Sequence, residues 1–227
     1  MEGAVSFGDF EAFAVMFGAV ALVGALASYV FQDQRTKRAL RRLRATPIRN
    51  AVEGKTMKMV GRVRFVGKPL EAPLSGQPCA AFRVTVDEAG GRLFARIIKE
   101  ERSVDFLLED DSGRALVRTW NSTIAVKMDK KDGSSVFHDV NEPMKALLLR
   151  HNKTSRGLFF NKDLRYQEGV LQENERVAVI GVVRFETSSD PALCAIPGSY
   201  RELPRMVVLD APENGPLLIS DDSDVLN

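Results

Sequence analysis

Hydrophobic positions along this chain change period part-way. Between Ala12 and Phe31 there is no charged residue. Twenty residues at about 1.5 Å each cover the roughly 30 Å hydrocarbon core of a bilayer, so the run predicts one transmembrane helix over 12–31. From residue 57 the period is two. In Met57-Lys58-Met59-Val60-Gly61-Arg62-Val63-Arg64-Phe65 the odd positions are apolar or Gly and three of the four even positions are basic. That predicts a half-buried strand with its polar side in solvent. Cys79 to Val86 alternates again, with Phe82, Val84 and Val86 on one face. Val104 to Leu108 and Ala115 to Val117 flank Asp110-Asp111-Ser112-Gly113, which predicts a hairpin with Gly113 in the left-handed region.

Between the first two strands lies Lys68-Pro69-Leu70-Glu71-Ala72-Pro73-Leu74-Ser75-Gly76-Gln77-Pro78. Its three prolines and Ser-Gly predict an ordered loop. Residues 141–151 place Met144, Leu147 and Leu148 at helical spacing behind Asn141 as N-cap, a short helix. Val177 to Phe185 repeats the form of the first strand, and the Gly inside each predicts a bulge or a sharp bend, as at a barrel corner. Met206 to Leu209 predicts a last strand, and the polar, acidic stretch from Pro212 is expected to fray at its end. The fold class expected is mainly β (α+β). After the transmembrane helix comes an OB-like bent β-barrel with one or two short helices and an insertion at about 121–168.

Charge divides the chain. Residues 1–34 hold four acids and no Lys or Arg, while 35–49 hold seven basic residues and no acid. The positive-inside rule then puts the N-terminus outside and residues 32–227 in the cytoplasm. A cleaved signal peptide would carry its positive charge before a shorter apolar run; Ala25-Leu26-Ala27 has the form of a cleavage site, but the leading flank is acidic. Arg35, Lys37, Arg38, Arg41, Arg42 and Arg44 are candidates for anionic lipid headgroups, beside the plainer role of a stop-transfer flank. Small residues four apart (Ala14/Gly18, Ala21/Ala25, Gly24/Ser28) permit homo-oligomer formation through the span, although such residues are common in membrane helices. Residues 50–227 hold 25 basic and 26 acidic side chains. So balanced a domain argues against nucleic acid, which asks for a basic excess.

Catalytic chemistry is not legible. Cys79, Cys194, His138 and His151 lack the short spacing of a zinc module, and nothing in sequence sets a base beside Cys79. No cofactor motif is present. Glu109, Asp110 and Asp111 read as a turn, without the spacing of a calcium loop. Trp120, Phe159, Phe160 and Tyr166 suit either a base-stacking platform or core packing, and the neutral charge favours the core.

Several of these segments together resemble the GIDE domain, also called the BAM domain, of the MULAN-type mitochondrial E3 ubiquitin ligases. They are Gly61-x-Val63, the run Pro69 to Cys79, Phe106 to Gly113, Tyr166-Gln167-Glu168, and Val177-x-Val179-x-Gly181. The resemblance covers about Glu53 to Asp221, with the proline loop its most specific piece. The domain organisation read is a flank (1–11), the span (12–31), an Arg-rich linker (32–52), the GIDE-like domain (53–221) and a polar tail (222–227). Those ligases end in a RING, which needs seven or eight paired Cys and His ligands. Two cysteines and two histidines imply the domain without the ligase chemistry.

The resemblance therefore implies a membrane-anchored, non-catalytic scaffold that contacts an unknown protein partner, expected in a bacterial inner membrane. A ubiquitin-pathway component working with a separate RING, and a single-strand nucleic-acid binder, are the alternatives. The contact residues expected are Pro69, Leu70, Pro73, Leu74, Ser75, Gly76 and Cys79, with Tyr166 and Glu168 bracing the loop and Glu168 taking a backbone or Arg partner. A purely structural barrel crossover is the competing role for that loop.

Overall fold

The structure, a computed structural model, describes residues 34–90, 93–128, 130–134, 142–152, 164–187 and 205–226. The apolar run 12–31, Asn141, His138, Phe159, Phe160 and Cys194 lie outside the described residues. Among those described, no helix is long and apolar enough to cross a membrane. The fold is mainly β, with α-helix at 34–42 (α1) and Glu142–Arg150 (α2).

Five strands close a barrel: β1 (Thr56–Phe65), β6 (Phe106–Asp110), β7 (Gly113–Val117), β12 (Arg205–Asp210) and β11 (Arg176–Thr187), which returns to pair with β1. Taken in chain order the ring runs first, second, third, fifth, fourth. Its third and fifth members, β7 and β12, are parallel. Period-two burial fills the interior with Met59, Val63, Phe106, Leu108, Val117, Val179 and Leu209. Gly61 sits where β1 passes from β11 to β6, and a Cβ there would meet the Glu109 carbonyl oxygen at 2.5 Å. Gly181 is placed likewise on β11, where a Cβ would stand 2.9 Å from the Asp210 carbonyl oxygen. Both are barrel corners as expected, but the register runs through each without a shift. Close strand crossing, not a bulge, demands these glycines.

The insertion is in two parts, because strands far apart in sequence pair. Between β1 and β6 come β2 (Leu70–Glu71), β3 (Pro78–Cys79), β4 (Ala81–Gly90) and β5 (Leu93–Ser103). Between β7 and β11 come β8 (Ser122–Ala125), β9 (Lys130–Ser134), α2 and β10 (Leu164–Leu171). Strands from both parts build a second sheet in the order β5-β4-β10-β9. The helical spacing of Met144, Leu147 and Leu148 presents one apolar stripe, which packs with Val84, Val86, Ile98 and Leu164 into a core of its own.

Five expectations need correction. Lys58 does not face solvent: it is 1% exposed, and burial lowers its pKa. It pairs across with Ile180, beside Val60 on the outer barrel surface, a region covered by Leu40 of α1 and by Val225. The stretch read as a linker is thus folded onto the barrel from Thr36 onward. Truncating a core leucine such as Leu40 typically costs about 2–5 kcal/mol. Gly113 is not left-handed. The Asp110 carboxylate instead accepts from the Ser112 amide (2.7 Å), the Ser112 hydroxyl (2.6 Å) and the Gly113 amide (2.9 Å), a side-chain turn that does not require a positive φ. Met206 to Leu209 is not the last strand: Leu217–Ser220 forms β13 between β11 and β8, with Leu217 and Ile219 fully buried. Trp120 is not core but 74% exposed, its indole N–H donating to Asp210 at 2.8 Å.

Candidate functional site

The proline loop is a strapped hairpin on the second sheet. Leu70 pairs with Cys79 and Glu71 with Pro78. Inside that pair the Ala72 amide donates to the Gln77 carbonyl and the Gly76 amide to the Ala72 carbonyl, both at 2.9 Å. The turn closes only because Gly76 takes φ +68°, a value that costs other residues a backbone clash. Two anchors hold it from below. Leu74 enters the core of α2 and the second sheet, and Ala72 and Cys79 enter a cluster with Phe82 and Val170.

Glu168 fastens the loop between these anchors. It stands on β10, an inner strand paired with Val84 of β4 and Lys130 of β9, and is 2% exposed. One carboxylate oxygen accepts from the Leu74 amide at 2.7 Å and the other from the Ser75 amide at 2.9 Å. The backbone partner expected for Glu168 is therefore this pair of amides. Gly169 beside it is needed because the Lys127 carbonyl oxygen passes 2.5 Å from where a Cβ would stand. Burial, and after it the Glu168 charge, push the Cys79 thiol up to about 11. Cys79 is a buried packing residue whose raised pKa keeps the thiol protonated at neutral pH.

The expected contact residues divide by this geometry. Leu74 and Cys79 are buried and shape the loop, as does Glu168. Tyr166 packs half-buried against the cluster that holds Leu74. Pro69, Leu70, Pro73 and Ser75 are half-buried, and Gly76 is exposed with Gln77 and Pro78. Beside the tip opens a groove of about 850 Å³, lined by Ser75, Gln77, Glu168, Gln172, Glu173 and Glu175. Sequence reasoning missed its far wall, the β10–β11 turn, where Gln172 bonds Gln77 and Asn174 takes φ +67°. The polar run Gln172 to Glu175 between two apolar strands was the available signal.

The six basic candidates also divide. Arg35, Arg38, Arg42 and Arg44 are exposed. Lys37 instead pairs with Asp222 at 2.5 Å and Arg41 with Asp224 at 2.6 Å. The Lys37 ammonium, then the Asp224 amide, hold the Asp222 carboxyl below its usual range. His151 Nε2 meets the Glu100 carboxylate at 2.8 Å, tying the end of α2 to β5.

A family model described as "GIDE: E3 Ubiquitin ligase" matches residues 90–192. The matched segment holds β5 to β11, and so Tyr166 and Glu168, while the proline loop that Glu168 fastens precedes it. No curated protein and no solved structure matches the chain. The resemblance to the GIDE domain family is thus shown over residues 90–192.

Proposed function

We propose that this chain is a single-pass, membrane-anchored GIDE-domain protein whose folded unit is a non-catalytic protein-interaction module. The uncharged run Ala12 to Phe31 with its basic trailing flank supports the anchor, N-terminus outside and folded unit in the cytoplasm. The barrel's ring order, with its Greek-key return, supports an OB-like reading of the fold. The observation that carries the interaction role is Glu168. A buried carboxylate spent on two loop amides fixes a tip of Gly76, Gln77 and Pro78 that stays exposed beside an open groove. Loops held rigid on a sheet are where recognition is commonly placed, because ordering cost is met before binding.

The test is recovery of partners by the tagged chain from its native membranes, wild type against Gln77→Arg. A protein recovered with the wild type and lost with this exposed-tip variant, at unchanged stability, supports the module. Equal recovery removes the loop from the contact.

The family description favours a second reading, a role in ubiquitin transfer. With activating enzyme, a panel of conjugating enzymes and labelled ubiquitin, the 227 residues are expected to give no transfer alone. Transfer on adding a RING protein recovered with the chain would establish that second reading.

A further inference from the structure

Residues 36–44 have two differently used sides. Thr36 and Leu40, one helical turn apart, are buried against the folded unit. Lys37 and Arg41 flank them and are clasped by Asp222 and Asp224. Arg38 and Arg42 stand on the opposite face of the helix from Thr36 and Leu40, by the 3.6-residue period. They are exposed, as are Leu43 and Arg44 just beyond. Arg38, Arg42 and Arg44 have no ion-pair partner among the described residues.

We propose that this outer side, Arg38, Arg42 and Arg44 with Leu43 among them, binds anionic lipid headgroups. The inference rests on the anchor reading above. Two observations select lipid as the occupant. First, the charge surplus is local: residues 50–227 are balanced at 25 basic and 26 acidic, whereas following a nucleic-acid backbone asks for a basic excess. Second, the leash is short. The apolar run ends at Phe31 and Thr36 is already buried in the folded unit. Five residues reach at most about 18 Å when fully extended, roughly two Debye lengths at physiological salt. The C-terminal acids leave the outer arginines open by occupying only Lys37 and Arg41.

Arginine reactivity reads this contact directly. The full chain is reconstituted into vesicles of phosphatidylcholine, or of phosphatidylcholine with phosphatidylglycerol, and treated with phenylglyoxal. Peptide mass mapping follows each arginine. The expected result is that Arg38, Arg42 and Arg44 react about fivefold more slowly, or slower still, with phosphatidylglycerol present. Arg62 and Arg176, exposed on the barrel, should keep their rates. In the D222N/D224N variant Arg41 should react faster in neutral vesicles and gain protection from phosphatidylglycerol. Equal rates for Arg38, Arg42 and Arg44 in both lipids would overturn the proposal alone. Failure of the chain to float with neutral vesicles in high salt would overturn the anchor reading and the proposal with it. Equal protection by a single-stranded oligonucleotide in neutral vesicles would reassign the face to nucleic acid.

Discussion

Replacing Glu168 by Gln changes one charge and almost no volume. The carboxylate uses both oxygens, one on the Leu74 amide at 2.7 Å and one on the Ser75 amide at 2.9 Å. A carboxamide offers one acceptor and one donor group. One loop amide would keep a weaker, uncharged bond, and the other would face an N–H it cannot pair with. A hydrogen bond to a charged group contributes about 1.5–3 kcal/mol net, and a stranded buried donor costs about 1–3 kcal/mol. Relief from burying a charge offsets part of this. The expected loss is about 2–4 kcal/mol in the loop, a large share of a domain's usual 5–15 kcal/mol if it is felt globally. Urea unfolding of the purified chain gives the global value. Amide exchange at Leu74 and Ser75 gives the local one, which should rise by at least about thirtyfold. Unfolding within about 0.5 kcal/mol of wild type, the range of ordinary surface substitutions, together with unchanged exchange at both amides, would refute the strap.

Four further outcomes follow from the same geometry. Gly61→Ala sets a Cβ 2.5 Å from a backbone oxygen of β6 and should destabilise by about 1–3 kcal/mol in thermal or urea unfolding. Gly215→Ala, whose Cβ has no neighbour nearer than 4.0 Å, should stay within about 0.5 kcal/mol. Cys79, buried with its thiol raised to about 11, should resist iodoacetamide at neutral pH in the folded chain and react on unfolding, read by peptide mapping at that residue. Asp222 and Glu109 both titrate below their ordinary values of 3.8 and 4.5 when folded, Asp222 through Lys37 and Glu109 through Arg64 and then Arg114. Because the folded values are depressed, their stabilisation is present above the ordinary values and is lost as pH falls below them. The unfolding temperature should drop through that acid window, less steeply for D222N.

Much of the barrel was readable because local pattern and global burial agree there. β1 and β11 alternate, their glycines mark corners, and β6 and β7 meet across four turn residues. What failed was non-local. Nothing near Lys58 announces that residues from 36–42 and 225 will cover its strand face. β13 was hidden because Leu217 to Ile219 lie between the polar turn Glu213-Asn214-Gly215 and the acids Asp221, Asp222 and Asp224, so composition outweighed a three-residue apolar run. The insertion divided unexpectedly because β4 and β10, about eighty residues apart, pair only in the folded chain. At the site, the loop and Glu168 were connected through resemblance; the spacing between them carries no such information. The two amides that receive the carboxylate, and the groove beside them, required the geometry.

The contact role of the loop tip is tested most directly by a photo-crosslinking amino acid at Gln77 in the full chain, expressed in its native membranes, with the same group at Leu149 on the exposed side of α2 as control. The account predicts one discrete crosslinked protein from position 77, none from 149, and loss of that product when Glu168→Gln is added. The same pattern from both positions, or a product at 77 indifferent to Glu168→Gln, would contradict it.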